Sequence, residues 1–349
     1  MNNVLQSFDP NAPGLKNNNI FGLPFSEDDA EVILIPIPWE VTVSYRQGTS
    51  RGPEQIFDAS VQVDLFDPDF KDVWKKGFYM LPVDKNIRNK SDYLRSCAEL
   101  IIGCLYDNCP IDKNNQLCSK LREVNEGGKF LMDWLYDISS RLLKSGKKVG
   151  LVGGDHSTPL GYIKALGNKH PDFGLLHIDA HSDLRVAYEG FTYSHASIMY
   201  NVLQEVPQVS KLVQVGIRDY CDEELEVINN SNGRVKAFFD RDIKEAQFGG
   251  TQWVTIVEQI IETLPENIYI SFDIDGLDPK LCPNTGTPVP GGFELEQIFF
   301  LLKKIREKGK KIIGFDLNEV SSGAKGNDCI DPIVGARALY NLCNHLAVS

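Results

Sequence analysis

The stretch LLHIDAHSDLR, residues 175 to 185, joins an apolar run to a cluster of acidic and histidine side chains. The run is continuous rather than alternating, which is typical of strands covered on both faces of a parallel sheet. Alternate side chains of an extended segment point to the same face, so Asp179, His181 and Asp183 can converge where the run ends. The stretch therefore predicts a buried strand that carries polar groups at its carboxyl end.

The same arrangement recurs along the chain. Apolar, β-rich runs occur at residues 31–38, 147–154, 173–180, 211–217, 234–239, 267–275 and 311–320. Helical patterns occur at residues 91–105, 128–146, after Ser157, and at 251–264, 294–309 and 331–346. Strand and helix in alternation predict an α/β fold with a mainly parallel central sheet and helices on both sides.

Residues 106–128 stand apart from this alternation. They are polar and rich in turn-forming residues, and they lack a clear period. We interpret them as an insertion between two helices of a single domain spanning residues 1–349. A domain boundary at this segment is the alternative.

Composition restricts the classes of partner. The chain has 349 residues, 42% hydrophobic residues and a net charge of -12. Phosphate backbones and anionic membranes are bound through clustered Lys and Arg, so neither nucleic acid nor a membrane is expected as a partner. The start of the sequence lacks a basic segment followed by an apolar one, and no apolar run is long enough to cross a bilayer. We therefore expect a cytoplasmic protein.

The eight cysteines are spread along the chain without a C-x-x-C motif. This spacing gives no support to a zinc ribbon or a thioredoxin-like site, and it favours reduced, structural thiols. Cys104, Cys109 and Cys118 are nevertheless close enough in sequence for a local disulfide.

Four polar motifs follow four of the apolar runs: GGDHS (153–157), DAHSD (179–183), FDID (272–275) and NEV (318–320). The carboxyl ends of parallel strands share one edge of the sheet, where α/β proteins bind ligands. The motifs place four carboxylates and two imidazoles at this edge, namely His156, Asp179, His181, Asp183, Asp273 and Asp275.

Such a cluster requires positive charge. Four neighbouring carboxylates repel one another unless cations lie between them or some of them are protonated. Six Asp and His ligands without a thiolate suit a pair of Mn²⁺ ions better than a structural zinc, although Ni²⁺ or Co²⁺ could use the same ligands. The alternative is that these residues are turn and helix-cap residues, which would explain one cluster more easily than all of them.

His177 shares the strand face of Asp179 but lies deeper in the apolar run. We predict that it is a buried, hydrogen-bonded neighbour of the site rather than a ligand. The glycine-rich stretches at 150–154 and 286–292 lack the patterns of phosphate-binding loops, so no phosphate site is indicated.

The residues of these motifs and their order along the chain resemble those of the ureohydrolase family of arginases, agmatinases, formimidoylglutamases and guanidine hydrolases. The resemblance covers roughly residues 30 to 345. It is carried by GGDHS and DAHSD together with SFDIDGLDP (271–279), GTPVPGG (286–292) and Glu319-Val320. It implies an arginase-like three-layer α/β/α sandwich, a two-manganese centre, a small cationic guanidino substrate and a homo-oligomer, either a trimer or a hexamer.

The resemblance also implies roles for the individual residues. One ion would be held by His156, Asp179, Asp183 and Asp273. The other would be held by Asp179, His181, Asp273 and Asp275, so that Asp179 and Asp273 bridge the two ions. A water shared by two cations loses a proton near neutral pH and could attack a guanidino carbon, with Asp183 accepting a hydrogen bond from it.

Two further residues complete the predicted site. His195 lies in YSHAS, which resembles a segment of agmatinases, and it is the candidate general acid for the departing amine. Glu319 resembles the family carboxylate that pairs with the substrate guanidinium through two hydrogen bonds. The simpler interpretations are a helix-cap or core histidine and an exposed glutamate at a strand end.

The residues after the DAHSD motif favour agmatine as substrate, with putrescine and urea as products. Leu184 and Arg185 replace the small polar residues of arginases, and DLR-x-x-YEG-x-x-YSHAS, like QGTSRGP (47–53), resembles agmatinases. Arginine, guanidine, guanidinobutyrate and formimidoylglutamate remain alternatives, because Arg185 could face a substrate carboxylate.

Other classes fit the motifs less well. A metallophosphoesterase would need a downstream G-N-H-[DE] element, which is absent. Histone-deacetylase-like enzymes use a single zinc. A single-zinc site would not account for His156, Asp273 and Asp275. A catalytically inactive scaffold relative is the remaining alternative.

Overall fold

The computed structural model describes residues 8–15, 18–323 and 329–349. At its centre is an eight-stranded sheet in which every neighbouring pair of strands is parallel. The strands are β1 (Val32–Pro36), β2 (Phe78–Met80), β3 (Lys148–Val152), β4 (Phe173–Ile178), β5 (Val209–Ile217), β6 (Val235–Phe239), β7 (Asn267–Asp273) and β8 (Lys311–Asn318). Their order across the sheet is β2-β1-β3-β8-β7-β4-β5-β6.

The described residues form ten α-helices around this sheet. They are α1 (Gly52–Ser60), α2 (Lys85–Tyr106), α3 (Asn115–Lys144), α4 (Leu160–Gly167), α5 (Ile198–Glu205), α6 (Asp222–Asn229), α7 (Asp240–Phe248), α8 (Trp253–Thr263), α9 (Leu295–Glu307) and α10 (Asp331–Val348). Strands β1 and β4 are buried at every position, because both faces of the sheet are covered. The predicted α/β/α sandwich with a parallel sheet is confirmed.

Residues 106–128, which we interpreted as an insertion between two helices, are helical from Asn115 onward. Helix α3 begins at Asn115 and packs against α2, so residues 115–128 are helical. The side-chain oxygen of Asn114 accepts hydrogen bonds from the backbone of Gln116 and Leu117, which caps the helix. The first half of α3 is polar and buries few side chains, which explains why its period was not evident in the sequence.

The register of the central strands positions the polar motifs. Strands β3, β8, β7 and β4 are consecutive neighbours, and Val152, Leu317, Phe272 and Ile178 are aligned across them. The residues that follow these four positions therefore leave the sheet side by side.

The thiols and helices give two further observations. Cys104, Cys109 and Cys118 are free thiols, so the local disulfide that their spacing allowed is not formed among them. Within the described ranges, no helix is both long enough and apolar enough to cross a membrane.

Candidate metal centre and active site

Asp179 lies at the centre of the polar cluster. It follows β4 and is 1% exposed. Its Oδ2 atom is 3.0 Å from His156 Nδ1, while its Oδ1 atom is 3.5 Å from His181 Nδ1. One carboxylate thus faces two imidazoles that come from different segments of the chain.

His156 belongs to the first half of the cluster. Its Nδ1 atom is 3.3 Å from a carboxylate oxygen of Asp183 and 3.3 Å from one of Asp273. Its Nε2 atom is 2.8 Å from Ser271 Oγ, which in turn donates to Asp316 Oδ1 at 2.9 Å. Because Nε2 donates to Ser271, Nδ1 is the atom that His156 presents to the carboxylates.

His181 belongs to the second half. Its Nδ1 atom is 3.0 Å from Asp275 Oδ2. The other oxygen of Asp275 accepts the backbone N–H of Ala180 at 3.0 Å, and Asp273 Oδ1 accepts the backbone N–H of Asp275 at 2.8 Å. The structure therefore brings all six sequence-predicted ligand residues to one edge of the sheet.

The electrostatics of the cluster show a shortage of positive charge. Burial and the neighbouring Asp179 raise the pKa of Asp183 to about 6, and burial with Asp275 and Asp179 raises the pKa of Asp273 well above its usual range. Burial alone would lower the pKa of His156, but Asp179, Asp183 and Asp273 raise it well above its usual value. Divalent cations would supply the missing charge without protonating the carboxylates.

The candidate ligand atoms form two groups in which all atoms lie within 4.8 Å of one another, and the groups share Asp179. One contains His156, His177, Asp179 and Asp183, and the other contains Asp179, His181 and Asp275. Oxygen and imidazole donors at this spacing, with a carboxylate common to both groups, fit two hard or borderline divalent ions.

His177 is in the first group, but both of its ring nitrogens have protein partners. Its Nε2 atom is 2.8 Å from Asp179 Oδ2, and its Nδ1 atom accepts from Gln214 Nε2 at 3.0 Å. Gln214 also donates to the carbonyl of Ser182 at 2.6 Å, which fixes the orientation of its amide. This arrangement orients Asp179 and agrees with the predicted role of His177 beside the ligands.

Sequence reasoning missed Ser271, Gln214 and Asp316. All three are fully buried within strands, and Asp316 contacts the site through Ser271. A charged residue inside the apolar run of β8 was a usable signal, because buried carboxylates need partners. The other two are ordinary strand residues whose role depends on the neighbouring strand.

Asp183 and Glu319 share an unusual backbone conformation. Their φ angles are 54° and 62°, in the left-handed region that side-chain-bearing residues seldom adopt. Such conformations cost free energy and persist only where the surrounding structure imposes them, which is common at functional sites.

Glu319 has one satisfied and one unsatisfied oxygen. Its Oε1 atom accepts the backbone N–H of His156 at 3.0 Å. Its Oε2 atom is buried and has no hydrogen-bond partner among the described residues. Burial and the nearby Asp155 raise the pKa of Glu319 well above its usual range. The side chain is thus held at the site with a vacant acceptor.

His195 lines a cavity of about 280 Å³ together with His181 and Asp183. Ser194 caps the short helix that begins at His195, which sets the position of the imidazole. Burial, followed by the neighbouring His181 and His156, lowers the pKa of His195 to about 3. The imidazole is therefore neutral near pH 7.

Charged and aromatic side chains form the outer wall of the cavity. Arg185 is 3.8 Å from Glu224, and its guanidinium lies over the ring of Tyr188. Asp219 and Tyr220 are exposed at the same wall. No described residue forms a hydrogen bond or ion pair with the carboxylate of Asp219.

Comparison with known proteins identifies the family of this chain. The arginase family profile matches residues 30–343. The chain is 28% identical to an N(1)-aminopropylagmatine ureohydrolase from Synechocystis sp. over 84% of this chain and 82% of that protein. It is 27% identical to an agmatinase from Bacillus subtilis, over 84% of each chain.

Solved structures share the fold. The agmatine ureohydrolase of Thermoplasma volcanium superposes with a TM-score of 0.68 at 23% identity, covering 92% of each chain. An arginase from Medicago truncatula gives a TM-score of 0.64 at 21% identity, covering 91% of this chain and 88% of that one. The family match spans most of the chain, so this protein belongs to the arginase family and is a hydrolase of guanidino C–N bonds.

Proposed function

We propose that the protein is a binuclear manganese hydrolase that converts agmatine to putrescine and urea. The observation that carries the proposal is the position of Asp179, whose two oxygens face His156 and His181 separately. A carboxylate placed in this way suits a bridge between two cations.

The proposed ligand sets are those that the family resemblance implies. His156, Asp179, Asp183 and Asp273 would hold one ion, and Asp179, His181, Asp273 and Asp275 would hold the other. When bound, the two ions supply an ionised water near neutral pH as the nucleophile. Asp183 borders both the cluster and the cavity, so its carboxylate can accept a hydrogen bond from that nucleophile.

Glu319 is proposed to hold the substrate guanidinium. The unpaired Oε2 atom needs a donor, and a guanidinium offers planar N–H groups that match a carboxylate. A cation beside Glu319 would also lower its raised pKa and restore its charge. Substrate binding and ionisation of this residue are therefore coupled.

His195 is proposed to assist the departing amine. After oxygen adds to the guanidino carbon, the bond to the alkyl nitrogen breaks and its electron pair stays on that nitrogen. The nitrogen must take up a proton to leave as an amine, and urea remains. His195 lines the cavity beside His181 and Asp183, so its neutral ring can donate a hydrogen bond to this nitrogen. The hydroxyl added to the carbon gives up the proton that the nitrogen takes as urea forms.

Asp219 is proposed to bind the ammonium at the other end of the substrate. Its carboxylate is exposed at the cavity wall without a described partner, whereas Arg185 is already paired with Glu224. A free carboxylate favours a substrate with a distal amine over one with a distal carboxylate. N(1)-aminopropylagmatine, named for a relative, carries such an amine as well.

A substrate panel tests this function. Purified protein loaded separately with Mn²⁺ and Ni²⁺ is given agmatine, N(1)-aminopropylagmatine, arginine, guanidine, guanidinobutyrate and formimidoylglutamate, and the released amine or urea is quantified. We expect agmatine to give the highest kcat/KM. Asp219→Asn should raise KM for agmatine and leave guanidine hydrolysis unchanged. Activity on arginine alone would overturn the choice of agmatine.

Metal analysis separates the enzyme from an inactive scaffold relative. The enzyme should purify with about two divalent ions per chain or regain activity when Mn²⁺ is added. Protein that binds no metal and stays inactive would favour the scaffold. We also propose a cytoplasmic location and a homo-oligomer. Light scattering of the purified protein would measure whether it is a trimer or a hexamer.

A further inference from the structure

Thr42 lies next to His195, on the loop that follows β1. It is 2% exposed, and its hydroxyl oxygen accepts the backbone N–H of His195 at 3.2 Å. The same oxygen is 3.3 Å from His195 Nδ1. One hydroxyl therefore contacts both the backbone and the ring of His195.

The loop around Thr42 is held in place by two other residues. Arg95 donates to the carbonyl oxygens of Val41 and Val43, at 3.2 and 2.5 Å, on either side of Thr42. The backbone N–H of Asp155, in the GGDHS motif, donates to the carbonyl oxygen of Trp39 at 2.8 Å, three residues before Thr42. Thr42 therefore presents its hydroxyl to His195 from a fixed position.

The hydrogen bonds of the Thr42 hydroxyl determine the tautomer of His195. A threonine hydroxyl has one hydrogen to donate, and among the described residues His195 Nδ1 is the only acceptor within reach of Thr42 Oγ1. If Nδ1 carried the proton, the hydroxyl hydrogen would be left buried and unpaired, which is costly. Nδ1 is thus the acceptor, and a neutral ring then carries its proton on Nε2.

We propose that Thr42 is a positioning residue that holds His195 in the Nε2–H tautomer, with this N–H available to the substrate cavity. No described residue hydrogen-bonds His195 Nε2, and His195 lines the cavity. The neutral imidazole therefore acts as a hydrogen-bond donor of fixed direction toward the amine. The inference rests on the proposed role of His195 in the hydrolysis.

Kinetics of matched variants test the role of Thr42. Thr42→Val removes the hydroxyl at nearly constant volume and should lower kcat by about tenfold, less than the roughly hundredfold expected for His195→Ala, with KM and metal content unchanged. Thr42→Ser keeps the hydroxyl and should restore kcat. Thr42→Val should have no further effect in a His195→Ala background, because the pair acts as a unit. Equal kcat for Thr42→Val and the unchanged protein would overturn the inference.

A second measurement reads the tautomer without using activity. Protein containing ¹⁵N-labelled histidine is loaded with Zn²⁺, which is diamagnetic, and the His195 signals are identified by their loss in His195→Ala. We expect a protonated Nε2 and an unprotonated Nδ1, and a changed tautomer ratio in Thr42→Val. A protonated Nδ1 with a bare Nε2 would refute the inference even if agmatine is hydrolysed. If no guanidino compound is hydrolysed, the proposed function fails while the spectrum still decides the tautomer.

Discussion

At the scale of single residues, the site contains carboxylates that would bind metal and a histidine that would contact the substrate. Asp273 lies between His156 and the backbone of Asp275, within the carboxylate cluster. His195 contacts Thr42 and lines the cavity, and among the described residues it forms no hydrogen bond to the cluster. The first should matter for holding metal and the second for turnover.

Asp273→Ala should lose metal and activity together, because it removes a carboxylate shared by both proposed ion sites. His195→Ala should keep metal and slow turnover by roughly 10²-fold if departure of the amine limits the rate. Metal content by mass spectrometry and kcat on agmatine, measured on both variants, check the two outcomes. Loss of metal in His195→Ala would show that placing His195 beside the departing amine is wrong.

The site residues that could be predicted were those with several ionisable groups close in sequence. DAHSD and FDID place carboxylates at alternate positions, and the strand register brings them together. Ser271 and Gln214 could not be predicted, because each acts through a neighbouring strand whose register the sequence does not state. Positive φ at Asp183 and Glu319 was equally unpredictable, since it arises from tertiary contacts.

At the scale of elements, long apolar runs were predictable and short or polar elements were not. All seven predicted strands are present, while the three-residue edge strand β2 was missed because it pairs only with β1. Helices α1, α5, α6 and α7 were also missed. Each has eight or nine residues and mixes polar with apolar positions, so its helical period is weak, whereas the equally short but almost wholly buried α4 was predicted.

The loop from β3 to α4 shows how an element positions the site. A Cβ at Gly154 would overlap the carbonyl oxygen of Trp39, a backbone atom that cannot move aside independently. Gly154→Ala should therefore lower the free energy of unfolding by roughly 1–3 kcal/mol and weaken metal binding through His156. Chemical denaturation and metal titration measure both effects.

Gly103→Ala is the matched control for this loop. Gly103 lies in α2, and a Cβ there would meet no atom within 4 Å. Alanine in a helix should leave stability equal or raise it by about 0.5–1 kcal/mol. Equal stability of the Gly154→Ala and Gly103→Ala proteins would contradict the steric argument.

At the scale of the whole molecule, the C-terminal helix links the core to the pH dependence of folding. Helix α10 packs against β1, β3 and β8, and most of its residues are buried. His345 in this helix is 1% exposed, and its Nδ1 has no hydrogen-bond partner among the described residues. Burial and the nearby Arg306 lower the pKa of His345 to about 3.

This shift predicts the direction in which acid acts on stability. The folded protein keeps His345 neutral, whereas the unfolded chain takes up a proton below the usual pKa of 6.5. As pH falls from 6.5 toward 3, His345 alone should therefore reduce the free energy of unfolding by about 1.4 kcal/mol per pH unit. His345→Phe removes this proton uptake and keeps an aromatic ring against Phe70. The imidazole of His345 packs edge-on against Phe70, with 4.7 Å between the ring centroids. Denaturation of metal-free protein at several pH values gives the slope of the unfolding free energy against pH. This slope should be smaller in the variant by the equivalent of about one proton, since the other groups titrate equally in both proteins. Identical slopes would mean that His345 is protonated in the folded state and that its burial does not control its charge.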